Sequence, residues 1–372
     1  MSLIDTLVVA VYLGGMVYLG HRGYRRVRSS SDYIVAGRRL GVAPFTACLG
    51  ATVLGGASTI GSVKLGYQHG LSGAWLVGML GIGLLALGFL LSSRISRLSV
   101  VTISEMLEER YSPAARLLSA IIMVAYLQML AVVQIIAIGS VFSVIFGISM
   151  SAGILVGGAI VVAYTAMGGM WSVSMTDSAQ FALMTVGVFI LLLPAGLIAA
   201  GGWSGLHAAL PAAHFSIDAI GWQRIGSLFL LYFLGVIIGQ DVWQRVFTAR
   251  TPQIARRGTL LVGAYCILYG VATAICGMVA LALLPDLADP QLAFASLAVT
   301  VLPVGLVGLV FAGALSALMS TASGALLAVA TLLANDVYRR FVAPGLGDGA
   351  FLRATRVIAT TAGVLKIGRA HV

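Results

Sequence analysis

Ten apolar runs follow one another along this chain, and that succession leaves few folds open to it. A spanning helix needs about 20 apolar residues, and the runs cover roughly 3–20, 42–67, 71–92, 115–142, 149–168, 177–200, 222–239, 258–284 and 299–333, with a tenth beginning near Ala354. Of the 372 residues, 60% are hydrophobic and only 9% charged, and the mean hydropathy is +1.04. A soluble domain carries about a quarter charged residues. The pattern is therefore that of an all-α polytopic membrane protein embedded in a lipid bilayer. The 46 glycines suit such a bundle, because helices in lipid associate through close backbone approach. The longest runs are expected to tilt or break.

The basic residues sort by connection. Arg22, Arg25, Arg26, Arg28, Arg38 and Arg39 follow the first run, and Arg94, Arg97, Arg110 and Arg116 the third. Arg245, Arg250, Arg256 and Arg257 follow the seventh, and Arg339, Arg340, Arg353 and Arg356 the ninth. The connection after the fifth run, about 168–176, carries none, and the opposite connections at about 201–221 and 285–298 hold acids without Lys or Arg. By the positive-inside bias the N-terminus lies outside and the basic connections face the cytoplasm. The net charge of +10 thus reflects topology and not nucleic-acid binding. Lys64 and Arg224 stand outside the scheme. The first run is not a secretory signal, since no Lys or Arg precedes it and His21-Arg22-Gly23-Tyr24-Arg25-Arg26 follows it. The tail from Lys366 to Val372 breaks abruptly from its helix, and its back-translation contains a sequencing-adapter string. Residues 366–372 are therefore expected to be an artefact at the end of a truncated reading frame. Without Lys366 and Arg369 the net charge is +8.

Two polar stretches interrupt the apolar runs. Gly55-Gly56-Ala57-Ser58-Thr59-Ile60-Gly61-Ser62 lies in the second and Ala317-Leu318-Met319-Ser320-Thr321-Ala322-Ser323-Gly324 in the ninth. Hydroxyls and a loosened backbone at membrane depth are costly unless buried in protein or lining a wet cavity. Gly56 and Gly61 have the spacing of a phosphate-binding loop, but the required Lys does not follow Gly61, so that reading fails. The glycines can also serve as a packing face, and the hydroxyls can bond back to the preceding turn. Against these stands an ion site, in which a broken helix frees carbonyls toward a helix that offers hydroxyls. Cys48, Cys266 and Cys276 read as small packing residues, with no CxxC pair. Thr102 and Glu105 have capping-box spacing, which predicts a short interfacial helix. No HExxH or GxSxG motif occurs, so nothing points to an enzyme or an organic cofactor.

Together these stretches resemble the sodium:solute symporter family, which includes sodium–galactose and sodium–proline symporters. The resemblance also rests on Gly168-Gly169-Met170-Trp171-Ser172-Val173-Ser174-Met175-Thr176-Asp177 with Gln180, on Gln244-Arg245, and on Leu302-Pro303-Val304-Gly305-Leu306-Val307-Gly308. It implies a LeuT-like fold of two inverted five-helix repeats with an extra N-terminal span, the second repeat incomplete, over residues 1–365. The second run is then core helix 1 and the ninth core helix 8.

The resemblance further implies a sodium site made of the carbonyls of Ala57, Ile60 and Ala317 and the hydroxyls of Ser320 and Thr321. Asp177, at the start of core helix 5, would escort sodium inward or share a second sodium with Ser320 and Ser323, although Gly324 stands where another serine is expected. Its other reading is a solvated helix cap beside Thr176. Ser58, Gln134, Tyr232 and Phe233 are candidate solute contacts, with Gln128 a further polar candidate; the aromatics read equally well as helix packing. Lys64 lies one turn beyond Ile60. It either faces the central cavity and favours an anionic solute, or snorkels toward Tyr67 and His69. The expected function is sodium-coupled symport of a small solute across the cytoplasmic membrane. The alternative is a transporter-like sensor domain of a kinase.

Overall fold

The computed structural model describes residues 2–370 and is helical from end to end. Its elements are α1 (Leu3–Tyr24), α2 (Ser30–Val35), α3 (Val42–Val53), α4 (Ser62–His69), α5 (Trp75–Leu90), α6 (Ile103–Arg110), α7 (Pro113–Phe146) and α8 (Met150–Thr185). They continue with α9 (Trp222–Ile238), α10 (Gln240–Val246), α11 (Pro252–Leu283), α12 (Leu306–Thr331) and α13 (Asp348–Arg369). Among the described residues, six helical stretches are long and apolar enough to cross a membrane, or seven if the bent pair of α9 and α10 counts as one.

Local chemistry sets the helix starts. Ser112, Ser149 and Thr251 accept from the backbone of Ala115, Ala152 and Ile254, and proline occupies the first turn of α7 and α11. Thr102 caps α6 by accepting from the Glu105 amide at 3.1 Å, as its spacing predicts. The Glu105 carboxylate bonds the amide of Val101 in place of the cap residue itself.

α12 is the axis of the bundle, with 94% of its most apolar window buried. Its alanines, glycines and serines allow α1, α7 and α8 to close on it. Tyr164 donates to the Met319 carbonyl at 3.1 Å, and Gln180 donates to Tyr12 at 3.2 Å. A second group forms where α11 packs along α3, α4 and α5.

The span boundaries match expectation in one place and differ in two. The connection expected at about 168–176 is a sharp break at Gly169 (φ 52°, ψ −136°) between two helical segments, the second continuing to Ala199; Tyr164 before the break and Asp177 after it bond adjacent residues of α12, Met319 and Ser320. The backbone at the break needs glycine. Past the break, Ser174 donates to the Trp171 carbonyl and Thr176 to those of Ser172 and Val173, while Ser172 donates to the Gly20 carbonyl of α1. α12 begins at Leu306 and not near 299, because Pro303 and Gly305 (φ 94°) interrupt the run. α13 begins at Asp348 and runs through Arg369, past the expected break at 366; His371 and Val372 of the suspected tail lie outside the described residues.

Alternate connections gather at opposite ends. At one end, Arg38 donates to the carbonyls of Ser96 and Val100, Ser30 bonds Asp348, and Arg26 and Arg39 lie over the Trp171 ring. There Arg340 and Arg116 both hold Glu108, and their hydrogen bonds keep its carboxyl below the usual range. Arg116 is not the water-exposed end of a span that its position suggests: it is buried against Asp336 at 2.7 Å. At the other end, Asp5 accepts from Gly305 and Gly308, and Tyr67 donates to the carbonyls of Leu284 and Pro285.

Candidate functional site

The second apolar run is cut at Leu54 (φ −93°, ψ 68°), and the helix resumes in a widened π turn, Ala57–Gly61. A cut of this kind frees carbonyls that an unbroken helix would use. Thr321 of α12 donates to the Thr52 carbonyl at 3.0 Å, and Ser58 donates to that of Val53 at 3.2 Å. Gln134 of α7 accepts from the Gly56 amide at 3.2 Å. The other hydroxyls of the motif turn away: Thr59 meets Tyr269 and Ser62 meets Thr273, both on α11. Ala57 and Ile60 lie on the widened turn, and Ala317 is buried one turn before Thr321.

Beneath the cut lies a charged cluster. Ser320 donates to Asp177 at 2.6 Å, and the Cys48 thiol donates to the other carboxylate oxygen at 3.2 Å. Arg245 reaches the same oxygen at 3.9 Å, and both charged side chains are fully buried. Asp177 is therefore not a solvated cap, and Arg245 does not belong to a basic connection, because each is the counter-charge of the other. Cys48 is more than a packing residue, since it is a hydrogen-bond partner of that carboxylate. Gly324 explains how the guanidinium fits: a Cβ there would sit 2.9 Å from an Arg245 nitrogen. Ser323, expected to help hold a second ion, bonds back to the Ser320 carbonyl at 2.9 Å.

A cavity of about 110 Å³ opens beside the cut. It brings together Ala57, Ser58, Gln134, Tyr232 and Thr321 of the expected residues. Phe233 faces elsewhere, stacked on Phe229 with centroids 4.5 Å apart and its backbone against Gly83 of α5. Gln128 lines a different surface, with Ile121 and Val124. Lys64 lines a separate cavity of about 620 Å³ with Gln68, His69 and Arg224, on the side of Tyr67. Leu231 and Tyr232 border both cavities. Among the cavity residues that the sequence reading passed over are Thr52, Tyr126 and Asp241. Asp241 follows the second helix cut, a 43° bend at Gly239 between α9 and α10.

The model of the sodium:solute symporter family matches residues 33–368. The chain belongs to the sodium:solute symporter family. Its family relatives include a sodium/proline symporter of Haemophilus influenzae, 25% identical over 97% of this chain and 76% of that protein. A sodium/glucose cotransporter of Vibrio parahaemolyticus is 26% identical over 97% of this chain and 74% of its own length. These relatives are transporters and not enzymes. Among solved structures, the substrate-bound outward-open state of a Na+-coupled sialic acid symporter superposes with a TM-score of 0.88 at 20% identity, over 100% of this chain and 82% of that one. A nucleobase-cation-symport-1 family transporter in a closed conformation superposes with a TM-score of 0.58 at 16% identity, over 91% and 74%. The fold of this family member is thus the LeuT-like one shared by sodium symporters.

Proposed function

We propose that this chain carries a small organic solute across the cytoplasmic membrane together with sodium, by alternating access. The observation that supports this most is the cut at Leu54 with Thr321 reaching into it from α12. Carbonyls of Ala57, Ile60 and Ala317 and hydroxyls of Ser320 and Thr321 would form a shell of neutral oxygens that replaces water around a hard monovalent cation. Sodium and solute each favour the state that the other also favours, and a ligand without such differential affinity would shift nothing. The membrane potential then contributes about 2.3 kcal/mol per charge per 100 mV. The N-terminus lies outside in this reading, and the basic end of the bundle faces the cytoplasm.

Arg245 in contact with Asp177, and Gly324 in place of a hydroxyl, favour a single coupled sodium over two. Lys64, Arg224 and His69 around the outer cavity favour a solute that carries an acidic group. Among the described residues none of the three is in an ion pair. The test is thermal unfolding of the purified chain in NaCl against equimolar KCl. Sodium should raise the melting temperature selectively, and the Ser320→Ala, Thr321→Ala double variant should lose the difference. Equal stabilisation by the two salts would overturn the reading.

A further inference from the structure

We infer that the solute carries a cationic nitrogen and that Asp241 is its receptor, an inference that rests on the symport reading above. Asp241 stands in the first turn of α10, just past the cut at Gly239, and its side chain lines the central cavity. Among the described residues, no side chain hydrogen-bonds or ion-pairs with its carboxylate. Arg245, one turn on, gives a hydrogen bond at 3.2 Å to the Asp241 backbone carbonyl and directs its other terminal nitrogen at Asp177. Two carboxylates thus share one guanidinium, and the guanidinium is turned toward Asp177. The Asp241 carboxylate is left with backbone amides and the charge of Arg245 nearby but no side-chain partner of its own at the cavity wall, where a buried ion is costly.

A bound cation removes that cost, and the wall around Asp241 says which kind. The neutral oxygens that suit sodium lie on the Leu54 side of the cavity. Asp241 shares the cavity wall with Tyr126, Tyr232, Leu231 and Val236. Aromatic faces attract organic ammonium groups, and apolar walls accept the carbons attached to them. A bare sodium ion gains nothing from leucine or valine. With the acidic group proposed for the outer cavity, the solute class becomes a small zwitterion.

Two sets of matched probes test this by sodium-dependent thermal shift on the full chain. One set is pyrrolidine, proline and cyclopentanecarboxylate; the other is tetramethylammonium, glycine betaine and 3,3-dimethylbutanoate. The nitrogen-bearing members should bind and their carbon isosteres should not. Asp241→Asn should weaken the nitrogen-bearing probes by about thirtyfold or more. Asp241→Glu, which keeps the charge, should retain part of the affinity. Half-saturation by sodium should stay within about twofold in both variants. Isosteric acids that bind as well as the cations, or a panel in which no nitrogen-bearing probe binds, would overturn the inference. So would an Asp241→Asn variant with altered sodium affinity and unchanged probe affinity, because the carboxylate would then serve sodium. Probe binding without any sodium effect would instead defeat the symport reading and leave Asp241 as a cation receptor.

Discussion

At Leu54 the first broken helix turns carbonyls and a hydroxyl toward the cavity, while at Gly239 the second turns a carboxylate toward it. The first cut offers dipoles alone. Neutral oxygens can bind a cation and release it, because neither state leaves a bare formal charge behind. The second cut offers a full charge that must find a counter-charge whenever it is buried. In the proposed reading the two cuts thus serve different guests, a metal ion that has to leave and an organic group that identifies its carrier. Beneath both lies the Asp177–Arg245 pair, where the protein supplies each charge with its own partner.

That contrast can be broken at its foundation. Arg245→Leu leaves Asp177 buried without its cation, and should destabilise the protein by about 3–5 kcal/mol. Adding Asp177→Asn should recover much of the loss. A melting temperature in the single variant equal to that of the wild type would show that the pair is not a unit. Gly324→Ser should cost less, about 1–3 kcal/mol, by pressing on the guanidinium. If it instead adds a second sodium-binding step in isothermal titration, the tethered cation can be displaced, and the single-ion reading fails.

The first cut is sharpened by Ser320→Ala and Thr321→Ala. Each removes one hydroxyl and remains compatible with a helix, so each should raise the sodium concentration for half-effect by about tenfold, the value of one hydrogen bond to a charge. Binding of a nitrogen-bearing probe measured at saturating sodium should stay intact, the reverse of the Asp241→Asn pattern. The smallest effect belongs to Lys64→Gln. Its side chain lines the outer cavity, part-way exposed, so removing the charge should lower affinity for acidic solutes by a few-fold at low salt and less at high salt. Competition with matched acid and amide analogues reads it out, and equal inhibition by both in the wild type would remove Lys64 from recognition.

The bundle was legible because apolar runs and the sorting of basic residues reflect the bilayer directly. So was the break at Gly169, which falls in the connection expected at about 168–176. Thr321 and Gln134 were found because polar groups at membrane depth stand out against their surroundings. Arg245 was misassigned because a charge at the end of a run looks the same whether it meets water or Asp177, a residue 68 positions away in the chain. Asp241 was hidden by the same neighbour. A signal was available in the glycine two residues before it and in the Arg four residues after it, the pattern of a broken helix with an acid at its restart.

Cys48 makes the charged cluster observable. Its thiol is fully buried and bonded to Asp177, and the two other cysteines, Cys266 and Cys276, are buried on α11. Alternating access as proposed would open the chain below the proposed ion site and admit water to Asp177, and what admits water admits a small maleimide or methanethiosulfonate. The rate at which Cys48 is alkylated then becomes a clock for that opening. It needs no engineered label, only Cys266→Ala and Cys276→Ala to silence the background. Sodium alone should slow the clock and sodium with solute should speed it, so the order of binding events could be timed by mass spectrometry on a side chain the protein already carries.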